Sequence, residues 1–145
     1  MNIMVKSQIE LDKIPLDTKA QISIKFGTIK NPAVVKNKYF YNILVYGKSV
    51  VKVYGNSNIV AFDNSTILTY DNSIVEAFGN STVIACNNSF VRTYDNSTIT
   101  AYDNSIVEAF DNSTVEAFDN STIIACHNSF VKTYDNSTIK VYNNA

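Results

Sequence analysis

From Gly47 to Tyr142 the sequence is a single eight-residue unit written twelve times without a gap. The units run GKSVVKVY, GNSNIVAF, DNSTILTY, DNSIVEAF, GNSTVIAC, NNSFVRTY, DNSTITAY, DNSIVEAF, DNSTVEAF, DNSTIIAC, HNSFVKTY and DNSTIKVY. This self-similarity restricts the fold more than any other feature. A unit so short cannot bury an apolar face alone and must stack on its neighbours to do so. Position 3 of the unit is Ser in all twelve, and position 2 is Asn in eleven, with Lys48 the exception. Position 5 is always Val or Ile, position 7 always Ala, Thr or Val, and position 8 always Tyr, Phe or Cys.

Positions 3, 5 and 7 alternate with positions 4 and 6, where Thr, Glu, Lys and Arg mix with apolar residues. That is the period of two of a half-buried strand. Composition agrees: among the larger apolar residues Val, Ile, Tyr and Phe outnumber Leu, Trp is absent, and the only prolines, Pro15 and Pro32, precede the repeats. Positions 3, 5 and 7 are therefore expected to point inward, as at Ile67, Val83, Ile99, Val115 and Ile123, and positions 4 and 6 outward. The small residue at position 7 implies that a facing sheet comes close. Positions 1 and 2 form the corner, since Asn and Gly tolerate left-handed backbone angles. Stacked corners are expected to align the Asn side chains into an amide ladder.

One unit supplies one strand and one corner, so a coil takes two units or three. Sorting position 4 at sixteen residues per coil separates one face, Val50, Thr66, Thr82, Thr98, Thr114 and Phe130, from another, Asn58, Ile74, Phe90, Ile106, Thr122 and Thr138. At twenty-four residues the Thr, Ile and Phe residues scatter over all three faces. The sixteen-residue coil also stacks Glu76, Arg92 and Glu108 with alternating sign, as a cross-strand ladder should. The expected fold is all-β, a two-sided β-solenoid, or β-helix. Its six repeat coils, spaced by ~4.8 Å, would make a flat rod roughly 29 Å long.

Octapeptide units paired into sixteen-residue coils, with serine inside and a periodic tyrosine, resemble the repeats of bacterial ice nucleation proteins. The resemblance covers residues 47–142 and is one of periodicity. Those repeats carry Thr-any-Thr on an outward face, which here occurs only in Asn96–Thr100. The unit is also similar to DNSTVEAY-type arrays of bacterial and phage proteins. Both resemblances imply the solenoid fold and neither carries an activity across.

Residues 1–46 break the pattern. Gln21–Phe26 alternates as a strand with one buried face, and Tyr39–Tyr46 reads as a more hydrophobic strand leading into the first unit. A solenoid must cover its end coils, so 1–46 is read as an N-terminal β capping segment and 47–145 as the repeat domain. The segment carries seven lysines against Glu10, Asp12 and Asp17, while the remainder carries five basic against ten acidic residues. The excess on either half is too small for direct nucleic-acid binding. The opening residues lack the apolar core of a signal peptide and no run of eighteen apolar residues exists, so the expectation is a cytoplasmic protein without membrane contact.

Catalysis needs unlike residues converging, and a repeat supplies the same ones again and again. His127 is the only histidine and occupies position 1, so it reads as a corner residue. Cys86 and Cys126 lack metal spacing and should fall on opposite edges. Columns of Asp at position 1 read as solvent-facing corners ahead of a calcium site. The expectation is a non-enzyme without metal or cofactor: a rigid rod binding a protein partner, of the kind a phage encodes to inhibit a host machine. The candidate binding or dimer edge is Tyr94, Phe110, Tyr134, Val141 and Tyr142, and the candidate flat face is Thr66, Thr82, Thr98 and Thr114. A homodimer is expected through the C-terminal coils first and the aromatic edge second. Ice binding by the Thr column and a carbohydrate-active β-helix are the alternatives.

Overall fold

A computed structural model describes residues 2–15, 21–28, 30–36 and 42–142. Strands β1 (Asn2–Val5), β2 (Gln21–Ile24), β3 (Ala33–Lys36) and β4 (Asn42–Val45) precede the repeats, with a short helix α1 (Gln8–Asp12) after β1. The units then supply β5 (Val50–Tyr54), β6 (Asn58–Ala61), β7 (Thr66–Thr69), β8 (Ile74–Ala77), β9 (Thr82–Ala85) and β10 (Phe90–Thr93). They continue with β11 (Thr98–Ala101), β12 (Ile106–Ala109), β13 (Thr114–Ala117), β14 (Thr122–Cys126), β15 (Phe130–Thr133) and β16 (Thr138–Tyr142). From β4 onward, strands enter two parallel sheets alternately. The first, sheet A, runs β1-β2-β4-β6-β8-β10-β12-β14-β16, and the second, sheet B, runs β15-β13-β11-β9-β7-β5-β3.

The chain is a two-sided β-solenoid of about eight coils with roughly sixteen residues in each. Thr82 pairs with Thr98, and Ile74 with Phe90, so like outward residues meet at sixteen-residue spacing. The count exceeds the six repeat coils because the first 46 residues join the same sheets. There Asn2 lies beside Gln21, Gln21 beside Asn42 and Ala33 beside Val51, spacings of 19, 21 and 18 residues, so these coils carry longer corners. The strand expected at Gln21–Phe26 is β2. Of the strand expected at Tyr39–Tyr46, the structure shows β4, and residues 39–41 lie outside the described residues.

The blunt end beside β3 is closed by a device with no counterpart in the repeats. Ser7 caps α1 by accepting from the Glu10 N–H, and Leu11 is the helix's buried residue. Gln8 then reaches the outermost strand of sheet B: its Nε2 donates to Val34 O at 2.9 Å, and its Oε1 accepts from Val34 N at 2.8 Å. One side-chain amide thereby answers the N–H and C=O that a further strand would have paired.

Between the sheets, position 5 forms the core. Ile67, Val83, Ile99, Val115 and Ile123 are fully buried, with Ala or Thr of position 7 beside them. Each such aliphatic side chain contributes about 1.5–3 kcal/mol relative to exposure. Position 3 is buried from Ser49 to Ser129, yet polar, and the bonds most of these hydroxyls make explain why it is serine. Ser105 Oγ donates to Tyr102 O at 2.7 Å, and Ser97, Ser89 and Ser121 repeat this bond three residues back to the position 8 carbonyl of the preceding unit. Ser105 also reaches Asn87 O on the preceding coil at 3.0 Å. A hydroxyl on one carbon satisfies the corner carbonyl without filling the narrow inter-sheet space, where a larger donor would not fit.

The corner corrects the expected asparagine ladder. Position 1, not position 2, is left-handed throughout, from Asp63 at φ 61° to Asp135 at φ 55°, with Gly47, Gly55 and Gly79 also positive. Where the next coil carries Asp at position 1, that carboxylate accepts from this backbone amide in six places, as at Gly47 and Gly55. Gly79 N–H donates to Asp95 Oδ2 at 2.9 Å, Asn87 N–H to Asp103 at 3.1 Å and Asp103 N–H to Asp119 at 3.3 Å. Among the described residues the position 2 asparagines are exposed and make no such side-chain ladder. The carboxylate wins because it is a charged acceptor one carbon from the chain, aimed at a backbone donor that is otherwise unpaired.

Two other departures concern inward and outward assignment. Val50, at an outward position, is buried, because the N-terminal segment crosses it and Val50 N–H donates to Gly27 O at 3.4 Å. Ile139 and Val141, at inward positions, are 42% and 54% exposed, because no described coil lies beyond β15 and β16.

Candidate functional site

The rod presents two outward faces and two edges. Every described ring at position 8 lies at an edge, because the left-handed residue that follows resets the strand alternation. On the edge that follows sheet A, Tyr46, Phe62, Phe78, Tyr94 and Phe110 stack in one file with centroids 4.8–5.7 Å apart. Cys126 interrupts the file before Tyr142. On the opposite edge Tyr54 stacks on Tyr70, Cys86 interrupts, and Tyr102, Phe118 and Tyr134 continue. The cysteines fall on opposite edges, as their spacing requires.

This geometry divides the expected binding edge. Tyr94, Phe110 and Tyr142 follow sheet A, Tyr134 follows sheet B, and Val141 is an inward position on the last described coil. Most of the rings are half-buried against one another, so their faces are already used. Tyr134 and Tyr142 are the more open ones, at 43% and 52%. Burial pushes the Tyr70 phenol up, with Tyr54 and Cys86 adding to it. Burial also pushes the Cys86 thiol up, and Asp103 adds to that. Both shifts are what a packed edge without a cationic neighbour produces.

The expected flat face is brought together. Thr66, Thr82, Thr98 and Thr114 stand side by side on β7, β9, β11 and β13. Beside them position 6 reads Leu68, Ile84, Thr100 and Glu116, and at the far end Lys132 Nζ lies 3.8 Å from Glu116. Sheet A is different in kind. Ile74, Phe90 and Ile106 form an apolar column on β8, β10 and β12, and Ile74 and Ile106 are exposed. The neighbouring column is Glu76, Arg92 and Glu108. Arg92 Nε donates to Glu108 at 2.7 Å, and its guanidinium lies 5.2 Å from the Phe90 ring centre. The outward apolar triplet was visible in the sequence as position 4 of alternate units, but its place beside the charged column needed the register.

No family model, curated protein or solved structure matches this chain. The residues themselves must carry any functional reading. Among the described residues no three or more His, Cys, Asp or Glu side chains cluster as a metal site, and no helix is long and apolar enough to cross a membrane. His127 is an exposed corner residue with φ 57°. A half-open cavity of about 930 Å3 lies at the N-terminal end between α1 and β3, bordered by Lys6, Lys36, Lys52 and Tyr54 above Leu11 and Ile22. Six position 1 carboxylates, from Asp63 to Asp119, accept from backbone amides one coil earlier.

Proposed function

We propose that this protein is a non-catalytic interaction rod that binds a protein partner through the flat threonine face of sheet B. The observation that supports the reading is the in-register file of Thr66, Thr82, Thr98 and Thr114, held on a two-sheet core in which the neighbouring Ile67, Val83, Ile99 and Val115 are fully buried. Parallel ladders leave the outward hydroxyls and methyls at a fixed spacing, so little conformational freedom is lost when a partner settles on them. A phage product that inhibits a host machine, acting in the cytoplasm, is a setting that suits such a rod.

The test compares the wild-type rod with Thr82→Arg/Thr98→Arg as bait in the native host. A partner recovered by the wild type, confirmed by titration of the purified pair, and weakened at least tenfold by the double variant supports the reading. Equal binding by both baits overturns it. The same threonine file supports a second reading, ice binding, although its neighbours Leu68, Ile84, Thr100 and Glu116 form no regular array. Thermal hysteresis of the purified rod would separate ice binding from partner binding.

A further inference from the structure

We propose that the outward face of sheet A is a self-complementary surface on which a second, antiparallel copy of the chain docks. This sheet lies opposite the threonine file, and docking here is independent of partner binding there. Isoleucines at 47% and 42% exposure flank Phe90 in the middle of this sheet, next to a column whose charges read minus, plus, minus. A surface that is both apolar and charge-patterned restricts what can cover it.

A second copy satisfies that pattern through one particular axis. A twofold axis lying in the interface, parallel to the strands, keeps strand direction and reverses the rod. Position 4 then meets position 4, and position 6 meets position 6. Placed on β10, the axis would set Arg92 against the second copy's Arg92, which is repulsive. Placed midway between β10 and β12, it sets Arg92 over the second copy's Glu108 and Phe90 over the second copy's Ile106. Since Arg92 already bonds Glu108 in its own chain at 2.7 Å, the four side chains close into a ring of alternating sign about the axis. On either side Ile74 meets Thr122, Glu76 meets Ile124, Asn58 meets Thr138 and Val60 meets Lys140. No like charges face each other anywhere in this set, which is the arrangement an isologous interface requires.

The overlap takes in six strands of about four residues, roughly 29 by 13 Å of sheet per copy. That is smaller than a standard interface of about 800 Å2 per partner, so the dimer belongs to the weak class, with dissociation constants at micromolar concentrations or above. Sedimentation equilibrium from about 5 to 500 µM reads it. We expect a monomer–dimer equilibrium in that range, weakened at least tenfold by Arg92→Glu and restored by Arg92→Glu/Glu108→Arg, which swaps the ring's signs. Ile106→Lys, an exposed position, should also weaken it, and Val141→Asp should leave it unchanged. Circular dichroism of each variant confirms the fold. A monomer at 500 µM overturns the proposal. So does a dimer indifferent to Arg92→Glu and Ile106→Lys, a swap that fails to restore association, or a dimer lost only with Val141→Asp, which would place the contact at the last coil.

Discussion

Asp103 tests the corner chemistry because it does two separable things. It holds φ 59°, and its Oδ2 accepts the Asn87 N–H at 3.1 Å. Substitution can remove either role. Asn keeps the tolerance for left-handed angles and an acceptor oxygen, losing only the charge, so Asp103→Asn should change stability by no more than about 0.5 kcal/mol. Gly keeps the angle and loses the acceptor. A bond to an exposed backbone amide is worth about 1 kcal/mol, so Asp103→Gly should destabilise by about that much. Val loses the acceptor and adds about 1–2 kcal/mol of left-handed strain, giving roughly 2–3 kcal/mol in all. At about 2–4 °C per kcal/mol for a chain of this size, the Val variant should melt about 4–12 °C below wild type. Calorimetry gives the ranking, and amide hydrogen exchange at Asn87 gives the local cause. Exchange should accelerate in the Gly and Val variants and stay near wild type with Asn. A Val variant as stable as the Asn variant, or one that leaves Asn87 exchange unchanged, would refute the assignment of position 1 as the left-handed, ladder-forming residue.

Other outcomes follow from the same geometry. Val83→Asp buries a charge at a fully buried position with no partner and should cost several kcal/mol; a soluble variant with an unchanged melting temperature would show that the inward set is wrong. Cys86→Phe should fill the gap between the Tyr54–Tyr70 and Tyr102–Phe118 stacks and stabilise the rod by about 0.5–1.5 kcal/mol, visible as a higher melting temperature. Ser105→Ala removes the hydroxyl that reaches Tyr102 O and should cost about 1 kcal/mol in denaturant unfolding. Because the native Cys86 thiol and Tyr70 phenol are both raised, their contribution is present below the ordinary thiol range and lost as pH rises through the raised values. Stability should fall faster with alkaline pH in wild type than in Cys86→Ala/Tyr70→Phe, and equal slopes would sink this attribution.

The coil was legible in the residues alone. Ser, Val or Ile, and a small residue at alternating positions can satisfy a core only as a strand, and sorting position 4 at sixteen residues already separated the threonine file from Ile74, Phe90 and Ile106. Repetition made this possible, since each pairing is the same local pattern met again one coil later. Three features depend on contacts between coils. The ladder runs through aspartate and not asparagine because the choice depends on which corner residue turns left-handed and where its amide then points, a matter of backbone angle and not of composition. The rings of Tyr94, Phe110, Tyr134 and Tyr142 divide between two edges, since a column exists only once successive strands alternate between sheets. The N-terminal closure by Gln8 on Val34 joins residues 26 apart through one side-chain amide. No periodicity announces such a contact, because it lies at β3, the outermost strand of sheet B, outside the repeated units.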